Sequence, residues 1–382
     1  MRSALSSTTN KQYKTDYEGP LDFAFFVHAR DVRDIFTIYP HLNGHSEADA
    51  YDTFARHHAH IGCTIEVPCG GATLYGELIG VPLVVRDFRR QLRSVRESLF
   101  AALDYCESRQ TRIVGLGALL PSMTQFGRVL AERSGSIGIT TGHSFTAHAI
   151  AEHVRTVESL LGAPQSVAIV GAAGSTGRAA IHALSADSVS RRLTLVDLPE
   201  RLRSLSDIAP PPTQETIITA DLASIRHSSV VVCVTNSTTA ILRPEFLAPD
   251  CIVIDDAQPE NITYAIARQR PDVVVIKCLA RVPRLQCPFD FGLLPNAPHN
   301  SKQEIVFTCL AETVTLAASG HTGHFTIGSP TREQIASIAG AASRLGITIA
   351  PFHSFPEVGE VHDHPRFTNS SSRVFHASNE RT

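Results

Sequence analysis

The chain has 382 residues, enough for two or three domains that each bury a core. Hydrophobic residues make up 43% and charged residues 19%, which excludes a disordered chain and sets an ordinary soluble globular class. A net charge of −3 gives no footing for nucleic acid or an anionic membrane as partner, and no apolar run approaches the ~20 residues of a membrane span.

Residues 1–20 are polar, without an apolar signal core, and are expected to be a disordered tail of a cytoplasmic protein. Residues 21–145 mix short apolar runs with one helical pattern, as in an α/β domain. Phe23–Val27 is a strand candidate, and Thr73–Val85 carries alternating and apolar stretches broken by Gly76 and Gly80. Arg86–Glu107 repeats Leu92, Val95, Leu99 and Leu103 at helical spacing. Ile113–Leu120 reads as a strand entering a glycine loop, and Ser136–Ile139 as a further short strand. The polar loop Thr140-Thr141-Gly142-His143-Ser144 then leads into a connecting helix over 146–162, with Val154, Val157, Leu160 and Leu161 as its stripe and Gly162 and Pro164 as its stop.

The most informative stretch is QSVAIVGAAGSTG, Gln165–Gly177. Strand, glycine turn and helix follow one another as a dinucleotide-binding loop requires. Gly171 permits the tight turn, Gly174 lets backbone approach a pyrophosphate, and Gly177 lets the helix pack on the strand. Ala172, Ser175 and Thr176 complete the cradle at the positive end of the helix dipole. A second strand, Leu193–Val196, ends in Asp197, twenty residues after Gly177, where a carboxylate accepts hydrogen bonds from the adenosine ribose. Thr216–Ala220, Val230–Val234, Ile252–Asp255 and Val273–Lys277 continue as near-continuous apolar strands, the mark of a parallel sheet buried on both faces. Residues 163–290 therefore read as a Rossmann-type, doubly wound nucleotide-binding domain. Asp255, at a strand end where ligands collect, is either a ligand contact or a turn cap.

Residues 291–350 read as a C-terminal helical segment. One helix runs from Ser301 to Ser319, with Ser301 and Glu304 as a capping box, and a second from Thr331 to Leu345. Residues 351–382 read as an unstructured tail whose His353, His362 and His364 are solvated; no metal site is expected. The eight cysteines have no CxxC spacing, and most lie in apolar runs as small buried hydrophobes of a reducing compartment.

The runs GLGALLPSM (115–123), TTGHSFTA (140–147), GAAGSTG (171–177), VIDDAQPENI (253–262) and FTCLAET (307–313), followed by GHT (320–322), come in the order found in cyanobacterial-type acyl-ACP reductases, and the chain resembles that family from about Phe23 to Ala350. The resemblance implies reduction of an acyl thioester, carried on acyl carrier protein or CoA, to an aldehyde by NADPH or NADH, with Cys309 carrying the acyl group. It also implies an aldehyde-consuming enzyme as a partner. A thiolate suits the chemistry, being both a strong nucleophile and a good leaving group. Two turns into its helix, Cys309 gains little from the dipole, so another group must favour the thiolate. His321 and His143 are the candidate proton donors or partners. Thr140, Thr141 and Gly142 match the family's interdomain loop; they either hold the nicotinamide or the acyl carbonyl, or cap the long helix. The chain departs from the family at Asp197, where an arginine is usual and where a carboxylate favours NADH over NADPH. It departs also at His143, where Asn is common, and at Asp256-Ala257 and Cys278-Leu279, where glycines are common. Two other readings share the domain order. One is a shikimate-dehydrogenase-like enzyme acting on a small hydroxy or amino acid without a covalent intermediate. The other is a non-catalytic nucleotide-sensing module.

Overall fold

The computed structural model describes residues 17–38, 40–56, 59–83, 85, 92–186, 189–206, 208, 215–288 and 304–368. Much of the expected N-terminal tail, the Ser301 cap and residues 369–382 lie outside them. The structure is α/β, built on two largely parallel sheets and one small antiparallel sheet.

The first sheet has the order β2 (His60–Cys69), β3 (Ala72–Gly80), β1 (Phe23–Val27), β4 (Ile113–Leu116), β5 (Gly138–Thr140). β1 runs parallel to β3 and β4, and β5 parallel to β4, whereas β2 pairs antiparallel with β3. Side chains alternate across the sheet with period two. Ala24 and Phe26 face Val95, Leu99 and Leu103 of the helix Leu92–Ser108. Phe23 and Phe25 face Leu310, Ala311 and Val314, near the other end of the chain. The C-terminal segment is thus the missing layer of the N-terminal sheet. Strand β2 has no counterpart among the sequence expectations, although Cys69-Gly70-Gly71-Ala72 is a hairpin signal, with both glycines at positive φ.

The second sheet has the order β11 (Val274–Lys277), β10 (Ile252–Asp255), β9 (Val230–Cys233), β6 (Val167–Val170), β7 (Arg192–Val196), β8 (Glu215–Thr219), parallel throughout. This is a doubly wound sheet whose strand order reverses between β6 and β9, and ligands bind at that crevice in such sheets. The long helix His143–Leu161 and the glycine-loop helix Ser175–Leu184 cover one face.

In the third sheet, β12 (Leu279–Arg281) lies between β13 (Ile305–Phe307) and β14 (Thr348–Ile349), pairing antiparallel with both. β13 corrects the sequence reading. Ile305-Val306-Phe307 pair with β12 rather than forming the first turns of a helix, and Glu304 accepts from Arg281 and from the Arg284 N–H. The helix begins at Thr308 and runs to Ala318.

The expected C-terminal tail is also corrected, over 352–368. Phe352, Phe355, Val361 and Phe367 are buried, because their apolar surface is covered by the second domain. His353 is only 2% exposed, bridges Lys277 and Glu360 through backbone pairing, and is not a solvated tail residue.

Candidate active site

The glycine turn is pinned to the neighbouring strand. The N–H groups of Gly171 and Ala172 donate to the carbonyl of Val196, and the Ala173 N–H donates to Oδ2 of Asp197 at 2.7 Å. Gly171 has φ +89°, and a Cβ on Gly177 would lie 2.3 Å from the carbonyl oxygen of Gly171, so helix and turn meet only through glycine. The N-cap of the helix Ser175–Leu184 is Gly174, which brings no capping side chain. The N–H groups of its first turn, at Ser175, Thr176 and Gly177, have no intrahelical acceptor and stand at the positive end of the helix dipole. These features fit a dinucleotide pyrophosphate, which Gly174 to Gly177 would hold. Asp197 also accepts from the Leu198 N–H, so its carboxylate shapes the turn. The Ser175 hydroxyl is taken: it donates to the Gly328 carbonyl and lies 2.9 Å from Nδ1 of His143.

Cys309 is the second residue of its helix, not two turns in. β13 delivers it there, and its thiol is half-buried in an apolar cavity of about 120 Å³. The same cavity is lined by Thr176 of the glycine-loop helix, by Thr235 at the end of β9, and by Phe25, Val27 and Leu78 of the first sheet. Both domains therefore reach the sulfur. Removal from water pushes the thiol up to about 12, and Asp256 adds to this; the N–H groups of Leu310 and of Cys309 itself pull the other way and are outweighed. The thiol is protonated at neutral pH.

Gly142 backs directly onto Cys309: with φ +79°, it leaves so little space that a Cβ would lie 2.2 Å from the Cys309 Cβ. Glu312, one turn along from Cys309 and fully buried, accepts from the Thr140 hydroxyl, from the Phe145 N–H at 2.7 Å and from the Thr326 hydroxyl at 2.9 Å, and also from the Gly142 N–H. It caps the long helix from another part of the chain, which is why that helix starts at His143 rather than Thr146. Thr140 is thereby withdrawn from any ligand. Thr141 lines the cavity, and its buried hydroxyl has no partner among the described residues.

His143 reaches the cavity, with its pKa lowered to about 4 by burial, so its ring is neutral. His321 does not. It follows the C-terminal end of the Cys309 helix, whose eleven residues span about 16 Å, and its ring packs edge-on against Phe325. This corrects its assignment as a proton donor. Asp255 is fully buried, accepts from the Ala257 and Asn261 N–H groups, and pairs with Lys277 at 3.3 Å. Its carboxylate caps the turn, and with Lys277 it also lines the adjoining chamber.

Sequence reasoning gave no catalytic or binding role to two groups, one of them Asp256, which stood there as a departure from the family pattern. Asp256 lines the cavity beside Cys309, and its carboxylate accepts from the Thr308 hydroxyl; the adjacent acids of VIDDAQ were the available signal. Glu312, three residues after Cys309 in the FTCLAET run, had only that spacing as a signal. A second, more polar chamber of about 640 Å³ adjoins the first across Arg30, Asp34, Asp256, Gln258 and Phe307. Among the described residues no group of His, Cys, Asp and Glu could hold a metal ion, and no helix is long and apolar enough to cross a membrane.

No family model matches the sequence, and no curated protein matches it. Solved structures share parts of the architecture. Shikimate 5-dehydrogenase from Thermus thermophilus, in complex with NADP(H) and shikimate, is 15% identical over 85% of this chain and 99% of its own, at a TM-score of 0.35. Malic enzyme from Pyrococcus horikoshii is 14% identical over 94% and 84%, at 0.33. A dipicolinate synthase from Bacillus halodurans is 12% identical over 44% of this chain, at 0.28, and the chain spans 57% of that protein's length. Likeness at this level carries nothing about activity; the chain's own strand order is what makes it a doubly wound α/β protein.

Proposed function

We propose that the protein is an NAD(P)H-dependent acyl-thioester reductase that forms an aldehyde through an acyl group held on Cys309. The observation that supports this most is the meeting of a cysteine in the first turn of one helix and Thr176, from the open first turn of the glycine-loop helix, in one apolar cavity. The first-sheet side chains Phe25, Val27 and Leu78 offer an apolar berth for an acyl chain. A reduced nicotinamide, when bound, supplies the hydride that turns the held acyl group into an aldehyde. The chain's own residues do the rest: Gly174 to Gly177 hold the pyrophosphate, Cys309 takes the acyl group from its carrier thiol, and the apolar walls keep water from the thioester. Asp197 suits the free ribose hydroxyl of NADH better than the phosphate of NADPH. The carrier is acyl carrier protein or CoA, and an enzyme that consumes the aldehyde is the expected partner.

The test is a panel of acyl-ACP and acyl-CoA thioesters assayed with NADH and with NADPH for aldehyde formation. Cys309→Ala is expected to lower turnover by at least about 10³-fold. A variant that keeps the wild-type rate, or a wild type that forms no aldehyde from any thioester, would sink the reading. One observation favours a second reading, a dehydrogenase without a covalent intermediate: Lys277 and Asp255 form a buried ion pair on the wall of the adjoining polar chamber. Mass spectrometry after mixing with an acyl thioester separates the two, since only the first leaves an adduct on Cys309.

A further inference from the structure

A protonated thiol needs somewhere to send its proton before it can attack a thioester. The cavity offers few acceptors. His143 is the obvious one, but an imidazole with a pKa near 4 is a poor base, and its Nδ1 is already engaged with Ser175. Glu312 lies on the same helix as Cys309, but its carboxylate is taken up by Thr140, Thr326 and the N–H groups of Gly142 and Phe145. His28 has both ring nitrogens committed, to the Ala29 carbonyl and the Leu119 N–H. Asp34 holds Arg30 in a two-point ion pair.

Asp256 is different. It lies on the wall shared by both chambers, immediately after β10, with its backbone fixed by the bond from its N–H to the Cys233 carbonyl. Its side chain is held by the hydroxyl of Thr308, the residue just before Cys309, and Thr308 is fixed in turn by Thr146 at 2.7 Å. Its negative charge adds to burial in raising the Cys309 thiol. We propose that Asp256 is the proton carrier for Cys309, taking the thiol proton as the acyl group arrives and giving it to the departing sulfur of the carrier. This rests on the thioester reading above.

The transfer balances without any further reactant. The Asp256 carboxylate accepts the proton of the Cys309 thiol while Sγ forms its bond to the thioester carbonyl carbon. The bond from that carbon to the carrier sulfur then breaks, and the Asp256 carboxyl returns the proton to it. One thioester replaces another, and the carrier leaves as a neutral thiol. Burial, with Asp255 adding to it, raises the Asp256 carboxyl well above the usual carboxylate range, which makes it a stronger base than an exposed carboxylate. The other titratable groups around it are Asp255 in the same turn and Cys278 after β11. Facing it across the cavity are Cys309, His28, His143 and the Arg30–Asp34 pair.

The test compares wild type with Asp256→Asn in two measurements that a merely structural role would not separate. The first is the rate of iodoacetamide alkylation of the Cys309 peptide across pH, read by mass spectrometry. Removing the repelling carboxylate should make this about tenfold faster at pH 9. The second is single-turnover acylation of Cys309 by an acyl-CoA, which should become about 10²-fold slower and lose its rise with pH through the carboxyl's titration. Opposite movement of the two rates supports the proposal. An unchanged alkylation profile overturns the pairing of thiol and carboxyl, and undiminished acylation overturns the transfer role. A wild type that is alkylated but never acylated overturns the thioester reading and the transfer step with it, whatever the alkylation arm shows. Should Asp256→Asn not fold, Asp256→Glu keeps a carboxyl on a longer arm: it must acylate with a displaced pH profile, and a profile identical to wild type overturns the proposal.

Discussion

At residue 28 the protein depends on a neutral imidazole. His28 donates from Nδ1 to the Ala29 carbonyl at 2.8 Å, and its Nε2 accepts from the Leu119 N–H at 3.1 Å, joining the loops that follow β1 and β4 at the cavity wall. A proton on Nε2 would set donor against donor. Burial accordingly lowers its pKa from 6.5 to about 4. Between those values the unfolded chain binds a proton that the folded chain refuses, so this contribution to stability is complete above pH 6.5 and is lost as pH falls towards 4. Denaturant unfolding at pH 7 and pH 4.5 should show the loss shrinking by about 2 kcal/mol in His28→Gln. Carboxyls such as Asp256, whose raised pKa works in the opposite direction, are present in both proteins and drop out of the difference. An equal loss in both proteins would mean that His28 titrates normally. At this scale the sequence was uneven: Cys309 could be named from its motif, but the group that handles its proton could not, because Asp256 lies far from it along the chain.

The glycine turn and its helix are the element most legible in the sequence, since the strand, the three glycines and the helix start all lie within Gln165–Gly177. The structure adds how tight the contact is. In an ordinary helix, replacing glycine by alanine stabilises by about 1 kcal/mol. At Gly177 the added Cβ would meet backbone atoms, Gly171 O at 2.3 Å and Ala172 Cα at 2.8 Å, which cannot rotate aside. Gly177→Ala is therefore expected to reverse that sign, destabilising by about 1–3 kcal/mol, and to weaken NADH binding at least tenfold by displacing the first-turn N–H groups. Thermal melts and a fluorescence titration with NADH check both. The Cys309 helix shows the opposite lesson. Its helical pattern in the sequence begins before Thr308, yet Ile305–Phe307 pair with β12, and cross-strand pairing takes precedence over local helix propensity there.

Across the whole molecule the chain closes on itself twice. The C-terminal helix covers the N-terminal sheet, and residues 352–368 return to the second domain. The long helix His143–Leu161 joins the two halves, and a buried ion pair anchors its far end: Arg191 holds Glu158 through two bonds of 2.7 Å and also donates to the Leu184 carbonyl. Arg191→Ala would leave Glu158 in a dry site without its cation, at a cost of about 3–5 kcal/mol. A shift of less than about 1 kcal/mol in denaturant unfolding would show that water reaches Glu158 and that the anchor is weak.

The sequence by itself determined the doubly wound sheet and the glycine turn, because strand periodicity and turn chemistry act over a few residues; the cysteine to be tested came from the resemblance of its FTCLAET run to a family motif. Only the tertiary structure decided where the cysteine helix starts, that Glu312 caps a helix from another part of the chain, that His321 stands clear of the cavity, and that Asp256 shares it with Cys309. Those outcomes depend on burial and on hydrogen bonds between residues widely separated in sequence, and no local pattern encodes which buried acid will meet which thiol.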